Sequence, residues 1–549
     1  MEVFLNAWRR VEIVLAGLLI IASLACTGMV AQAMATSSLS TDEFGTVGTF
    51  SAKGPGRVLT DYRAPKNHIF FNLLNSVLPG RDSWNPARVR VLSIAATLLT
   101  AFVIVGWTAR RGQLFEGSAV LALWSLAPET LTLSMEARGY GFLGLFAVLA
   151  AIGTIEYLRT ARRSWLILLA VASVLGVYTV PSFLILVGPL LLLLWISRRT
   201  WETFLTGVIS GAAMLILYAP VLGQVITAFT GFHEDREVLE FGSSDSLARA
   251  VRLYLQPCDN GEAIALLAIL LLAPFAVARW RPAGERLGPC LVAASCGFYF
   301  LTLMLLRTPP LRVAACGLLP AALVGILALG AGLRRIPLAR PIAITALAGM
   351  LLVASVRAIS AFDFQPAENW TLAARAIDTA FPPTMKIEFG RYAKYLKQTL
   401  PDSETRAAPY DAAKFADGTL VVADAGNKWA EGRRFVAPAG TSRVVEWTIP
   451  GRIRNIVLTF RKPENNALPA SALKPIAEDT MLEIPPAAGA RSLVLKLNRP
   501  VTARDLTTDA PGALLAGDAL VVPLTPSGPK TIRLQAHRDD LVLTDAWTF

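Results

Sequence analysis

The chain has 549 residues, 54% hydrophobic and 17% charged, with a mean hydropathy of +0.50. Soluble domains carry about a quarter charged residues, and here the long apolar runs nearly all precede residue 360. The composition excludes a wholly soluble protein and predicts a polytopic membrane protein with a soluble C-terminal domain. The net charge of +12 is carried by Arg in short loops between apolar runs, where orientation signals belong. No basic-aromatic surface domain accompanies it, which argues against nucleic-acid binding.

A bilayer span needs about 20 apolar residues. Runs fall near 11–35, 88–109, 114–134, 139–157, 164–180, 182–197, 201–228, 263–280, 287–306, 313–333 and 338–358, predicting about eleven helices. The first run follows Arg9 and Arg10 as a signal peptide would, but its length and the lack of a clean small-residue cleavage site favour a retained helix. Alternate loops carry Arg110/Arg111, Arg159/Arg162/Arg163, Arg198/Arg199, Arg279/Arg281/Arg286 and Arg334/Arg335/Arg340. That regularity predicts a cytoplasmic N-terminus and, with an odd number of spans, residues 360–549 outside. The other loops then share the outer face: 36–87, the turn Glu136–Tyr140, Val180-Pro181, 229–262 and Arg307–Arg312. Cys26, Cys290, Cys296 and Cys316 lie in apolar runs and read as small hydrophobes, Cys258 stands in a loop, and no CxxC spacing occurs.

The loop 36–87 opens on Asp42-Glu43. Two adjacent carboxylates just outside a bilayer are costly for a connector. A carboxylate within hydrogen-bond reach of an acceptor hydroxyl can act as its general base; in a strand-like or turn backbone its neighbour would point elsewhere, to orient or to bind a cation. The competing reading is structural, because Ser40-Thr41-Asp42 suits a helix start. Further on, His68, Ile69, Phe70, Phe71, Leu73, Leu74, Val77 and Leu78 make an apolar stripe ended by Pro79-Gly80, predicting a short helix lying in the interface or buried against the bundle. Asp61, Tyr62 and Lys66 precede it. Lys66, Arg81, Arg88, Arg90, Arg307 and Arg312 are outer-face cations that run against the orientation rule and suit a phosphate ligand; solvation of a long loop, and interfacial anchoring for Arg88 and Arg90, compete. Glu136-Ala-Arg138-Gly-Tyr140 forms an outward turn whose Glu and Arg either pair with each other or serve a site. Glu129 lies in LWSLAPETL, where a proline-associated helix break is equally compatible. His68 is one of only three His, and no paired-His spacing signals a metal; a divalent cation on Asp42 and Glu136 oxygens is compatible with the residues but not signalled.

From about residue 361 the pattern changes. NWTLAARAIDTAF and RYAKYLKQTL predict helices, and TLVVAD, RVVEWTI, IRNIVLTF, RSLVLKL, ALVVPL, TIRLQA and DLVLTDAW predict strands, parted by Pro, Gly, Asn and Asp. An all-β sandwich or jelly roll preceded by helices is expected, without a catalytic constellation.

Taken in order, an outer-loop Asp-Glu, a Tyr-x-x-Pro-x-x-His segment opening an amphipathic helix, an Arg-led second helix and a Glu-Ala-Arg-x-Tyr turn resemble the C-type (GT-C) glycosyltransferases of the protein O-mannosyltransferase and lipid A aminoarabinose transferase clan. The resemblance covers residues 5–200 best, and 200–360 mainly by helix pattern and the turn TPPLRVAACGLLP around Arg312. It implies domains of 1–360 (transmembrane, catalytic) and 361–549 (periplasmic, mainly β) in a bacterial inner membrane. It implies a polyprenyl-monophosphate sugar donor, an envelope lipid, glycan or protein acceptor, and inverting transfer on the periplasmic face. Carried over, Asp42 would activate the acceptor with Glu43 beside it, and Glu136 would be a second acid near the sugar. Lys66, Arg88, Arg138 and Arg312 would hold the donor phosphate, and Asp61, Tyr62, His68 and Tyr140 would contact substrate. Two other readings compete: a transporter or flippase for a lipid-linked glycan, disfavoured because charges avoid the spans, and a non-catalytic envelope scaffold.

Overall fold

The apolar runs fold as helices, two of which divide beside a proline. The computed structural model describes residues 2–62, 67–80, 84–126, 128–230, 260–280, 283–305, 311–336, 339–360 and 369–381, then 385–389, 407–409, 419–425, 444–450, 455–461, 475–476, 480–483, 491–502, 505–524, 531–538 and 540–548. They fall into two units, Met1–Thr36 with Gly45–Phe364, and Ser37–Phe44 with Gln365–Phe549.

In chain order the helices are α1 (Glu2–Thr36), α2 (Thr41–Thr49), α3 (Pro55–Thr60), α4 (Ile69–Val77), α5 (Pro86–Arg110), α6 (Leu114–Ser125), α7 (Pro128–Met135) and α8 (Tyr140–Thr160). There follow α9 (Arg163–Thr179), α10 (Leu184–Arg198), α11 (Trp201–Tyr218), α12 (Leu222–Thr230), α13 (Asn260–Ala278), α14 (Ala283–Leu305), α15 (Leu311–Leu333), α16 (Ala339–Ser360) and α17 (Trp370–Ala380). Among the described residues, eight helical stretches are long and apolar enough to cross a bilayer, and three shorter apolar helices accompany them. Each of the eleven predicted runs contains an apolar helix, but not every run is one span. The run 114–134 divides into α6 and α7, with Pro128 opening the second helix, where its missing N–H costs nothing. At about 1.5 Å per residue α6 is some 18 Å long, short of a hydrocarbon core of about 30 Å. The run 201–228 breaks likewise at Pro220, in a 3-10 turn Ala219–Val221 between α11 and α12.

Large apolar side chains stand outward along the helices, with Phe102 74%, Ile216 72% and Ile342 74% exposed. Such a surface suits lipid, not water. The protein is thus a multi-pass membrane protein. Its most enclosed span is α8, 83% of whose apolar window is buried, against 22% for α16. It packs on α5, α9, α14 and α15. Its first turn comes so close to its neighbours that a Cβ on Gly141 would lie 2.7 Å from the carbonyl oxygens of both Ser93 and Ser134.

The Arg-rich loops gather carboxylates at one end of this unit. Glu156, late in α8, accepts from Trp107 Nε1 at 2.9 Å, Arg111 at 2.7 Å and Arg159 at 2.7 Å. Arg334 meets Glu116 at 2.6 Å, Arg340 meets Glu12 at 2.9 Å, and Arg163 meets Glu202 at 2.5 Å. Low-dielectric surroundings strengthen the bonds to the buried Glu156 and Glu116 and make a missing partner costly there, whereas the exposed Arg163–Glu202 pair adds little.

In the second unit, α17 begins where the Asn369 side chain accepts the Leu372 N–H at 3.2 Å. Strands β1 (Lys386–Phe389), β2 (Ala407–Pro409), β3 (Thr419–Ala425), β4 (Val444–Ile449) and β5 (Asn455–Arg461) form one sheet in the order β2-β1-β3-β5-β4. Strands β6 (Thr480–Glu483), β7 (Ser492–Leu497), β8 (Leu506–Thr508), β9 (Leu514–Ala516), β10 (Ala519–Pro523), β11 (Thr531–Ala536) and β12 (Leu543–Thr548) form two more, β12-β7-β10-β9 and β6-β11-β8. The last two are antiparallel and share a core of Leu482, Leu493, Leu495, Val522, Ile532 and Leu534, as the predicted sandwich requires. The first sheet differs from the expectation, for β1 runs parallel to both β2 and β3. Four residues, KIEF, are too short for alternation to reveal a strand, and parallel neighbours need a crossover that a hairpin reading omits. The predicted helix 391–400 lies outside the described residues.

Candidate functional site

The acid pair sits in the segment Ser37–Phe44 of the second unit, at a helix start, the structural one of the two readings weighed for it. Ser40 and Glu43 make a reciprocal cap: the Glu43 carboxylate accepts the Ser40 N–H at 2.8 Å, and the Glu43 N–H donates to Ser40 Oγ at 3.3 Å. Glu43 is fully buried. Its carboxylate thus helps close the helix start, as the structural reading of the pair has it. Asp42, one residue earlier and about 100° around the helix, is half-buried.

In the helical unit, the predicted turn Glu136–Tyr140 connects α7 to α8. The Glu136 N–H continues α7 to Thr132 O at 3.0 Å, and the Arg138 N–H doubles back to Glu136 O at 2.7 Å. Gly139 completes the reversal at φ +74°, a conformation that side chains resist. A Cβ there would also lie 2.9 Å from Phe71 Cβ and 2.9 Å from Thr179 Cγ2. The turn is thus clamped against α4 and the end of α9. Its side chains converge on one ring: the His68 imidazole meets Tyr140 edge-on at 5.0 Å, and the Arg138 guanidinium lies 5.4 Å from the same ring. Glu136, Arg138, His68 and Asp61 are all buried, at 2%, 6%, 3% and 4% exposure. Four ionisable groups withdrawn from water at one end of a membrane bundle are a costly investment.

Asp61 ends α3 and pairs with Arg57 one turn earlier. Tyr62 stands edge-on to Tyr218 at 6.4 Å, and Tyr218 to Tyr178 at 5.7 Å. Burial, and next the nearby Tyr140, hold the Tyr62 phenol above its ordinary pKa, so it stays a hydrogen-bond donor. Its stretch 60–62 is docked on α12 by Gln224, a residue the sequence did not single out.

The stripe 68–78 is the helix α4, but its buried face includes Asn72, Asn75 and Ser76, while Val77 is 63% exposed. Of the expected phosphate ligands, Arg88 makes several contacts within the fold. Its guanidinium donates to Asn75 Oδ1, and at 3.0 Å to each of the carbonyls of Asn75, Leu78 and Pro79. It caps the C-terminus of α4, whose last carbonyls have no helical donor. Arg90, 2% exposed, donates to Met34 O in the last turn of α1. Lys66, Arg81 and Arg307 lie outside the described residues, as does the side chain of Arg312, whose backbone is in the first turn of α15. Among the described residues no group of three or more His, Cys, Asp or Glu is placed to hold a metal ion.

No family model and no curated protein matches the chain. Among solved structures, the apo form of ArnT from Cupriavidus metallidurans aligns with 83% of this chain and 98% of its own, at 13% identity and a TM-score of 0.47. The form of that protein bound to undecaprenyl phosphate aligns with 80% of this chain and 97% of its own, at 14% identity and a TM-score of 0.44.

Sequence reasoning found the Glu136–Tyr140 turn, Asp61, Tyr62 and His68. It missed Asn67, Asn72 and Gln224, which have no motif. The one legible signal was Asn72 and Asn75 interrupting an apolar stripe at helical spacing.

Proposed function

We propose that the protein is an inverting membrane glycosyltransferase that takes its sugar from a polyprenyl monophosphate and gives it to a hydroxyl of an envelope lipid, glycan or protein. The observation that carries the reading is the burial of Glu136, Arg138 and His68 where the most enclosed span begins, with His68 and Arg138 set on the Tyr140 ring. The motif order in the sequence supports the same class. The Arg-rich end is taken as cytoplasmic, by the orientation rule, and the site as outward-facing.

The chemistry follows from charge. An acceptor oxygen attacks the anomeric carbon as the carbon–oxygen bond to the donor phosphate breaks. The hydroxyl proton passes to a carboxylate base, a role assigned to Asp42 from the sequence, and the bonding pair leaves with the polyprenyl phosphate. Negative charge grows on that phosphate, and fixed cations stabilise it; Arg138 is the described candidate, with Lys66 and Arg312 assigned from the sequence. Glu136 lies near the sugar, where a carboxylate steadies the positive charge developing at the anomeric carbon. No step passes through a metal.

The test is transfer of a labelled sugar from a polyprenyl-phosphate donor by protein purified into liposomes. Asp42→Asn is expected to abolish transfer while expression and melting temperature hold. Full activity in that variant would sink the base assignment, and no transfer by the unaltered protein from any such donor would sink the class.

A further inference from the structure

Behind the candidate site runs a one-way chain of hydrogen bonds. Ser51 Oγ donates to Asn72 Oδ1 at 2.7 Å, and Asn72 Nδ2 donates to Asn67 Oδ1 at 2.9 Å. Asn67 Nδ2 then donates to the carbonyls of Val58, at 2.9 Å, and Asp61, at 2.7 Å. From the other side, Gln224 Oε1 accepts the Tyr62 N–H at 2.7 Å while its Nε2 donates to Thr60 O at 3.0 Å. Ser51, Asn67 and Asn72 are at most 1% exposed.

The direction is fixed by chemistry. A primary amide accepts at one end and donates at the other, so each member hands its donor to the next. The end of the chain is a backbone in need. Helix α3 has six residues, too few to hold itself, and its terminal carbonyls lack helical donors. Asn67 and Gln224 supply those bonds and, in doing so, set Asp61 and Tyr62 in register with His68, the residue next to Asn67. Such outlying hydrogen bonds are what hold contact groups within tolerance.

We propose that the Ser51–Asn72–Asn67 relay, with Gln224, positions Asp61 and Tyr62 for the phosphate-linked sugar donor, a role that rests on the glycosyltransferase reading. These are positioning residues, acting through the 58–62 backbone. A Tyr62 phenol that stays protonated suits a phosphate oxygen as its acceptor.

Asn67→Asp is the decisive variant, being isosteric but unable to donate when ionised. At pH 8 the donor KM is expected to rise about 10-fold with kcat within about twofold. Burial beside carbonyls raises a carboxyl's pKa, so towards pH 5 the introduced group takes up a proton and restores one of the two donated bonds; the KM ratio to the unaltered protein then falls part of the way back, whereas Asn67→Ala stays raised at both values. The titrating neighbours, the Arg57–Asp61 pair, His68, Tyr62 and the exposed Lys53, are common to all three proteins and leave the ratio. A ratio of one at pH 8, or one that acid does not lower, overturns the proposal. Hydrogen exchange supplies a readout free of catalysis: Gln224→Ala is expected to speed exchange of the Tyr62 amide about 10-fold at unchanged melting temperature. Unchanged exchange sinks the relay alone, while absence of transfer by the unaltered protein sinks the transferase reading and the donor role with it.

Discussion

The two ends of α8 solve opposite problems with the same kinds of residue. At its late end Glu156 is gripped by Trp107, Arg111 and Arg159, each contact between side chains that neutralise or satisfy one another. At its early end the fold spends its precision on backbone. Gly139 is wedged between Phe71 and Thr179, Arg88 caps α4, and amides cap α3, while Arg138 and His68 are set around a ring. The first arrangement stabilises by pairing charge. The second uses a wedged glycine and side-chain bonds to backbone carbonyls to hold Arg138, His68 and Asp61 in place, which is what a ligand site requires.

The contrast predicts different kinds of damage. The largest effect on function is expected from Gly139→Ala at the early end. A residue with a side chain resists that φ by about 1–2 kcal/mol, and the new methyl would push Phe71 or Thr179. Relief by a shift of the turn moves Arg138 and Tyr140, and misplacement of about 1 Å costs on the order of 100-fold in rate. Transfer should fall by that much, with the protein still purifying as a monodisperse species. Near-normal kcat and KM would show that the turn tolerates movement and is no part of a site.

At the late end the order reverses. Glu156→Ala leaves two Arg side chains facing a vacancy, and breaking a buried pair costs about 3–5 kcal/mol. The melting temperature in detergent should drop clearly, while kcat per folded molecule stays within about twofold. A loss of turnover without loss of stability would erase the division between the two ends.

How far the sequence revealed this division depends on range. Apolar runs and Arg spacing are local signals, so the helices and the Arg-rich loops were legible. So was the turn at Glu136, because Gly139 and the charged pair stand out between apolar runs. The capping role of Glu43 was half legible: the helix start was weighed, but burial of the carboxylate against its own backbone could not be read. Arg88 was ambiguous because a cation in an outer loop looks alike whether it meets a phosphate or four acceptors, all nine to thirteen residues back. Gln224 was beyond reach, since its partners lie 162 and 164 residues away.

Arg88 gives the smallest and most discriminating effect, because it tests whether an outer-end cation belongs to the frame or to the ligand. Arg88→Ala removes the donors to the carbonyls of Asn75, Leu78 and Pro79. Leu78 and Pro79 lie near the surface, where water can replace a lost donor, whereas Asn75 is buried, so the expected cost is about 1–2 kcal/mol of stability. The donor KM should change by less than about twofold, because no phosphate contact is lost. A residue that gripped the phosphate would instead raise KM by roughly 10-fold or more, since a charge-assisted bond is about twice as strong as a neutral one. That result, with melting unchanged, would return Arg88 to the site and make the early end of α8 a place where capping and ligand binding share one guanidinium.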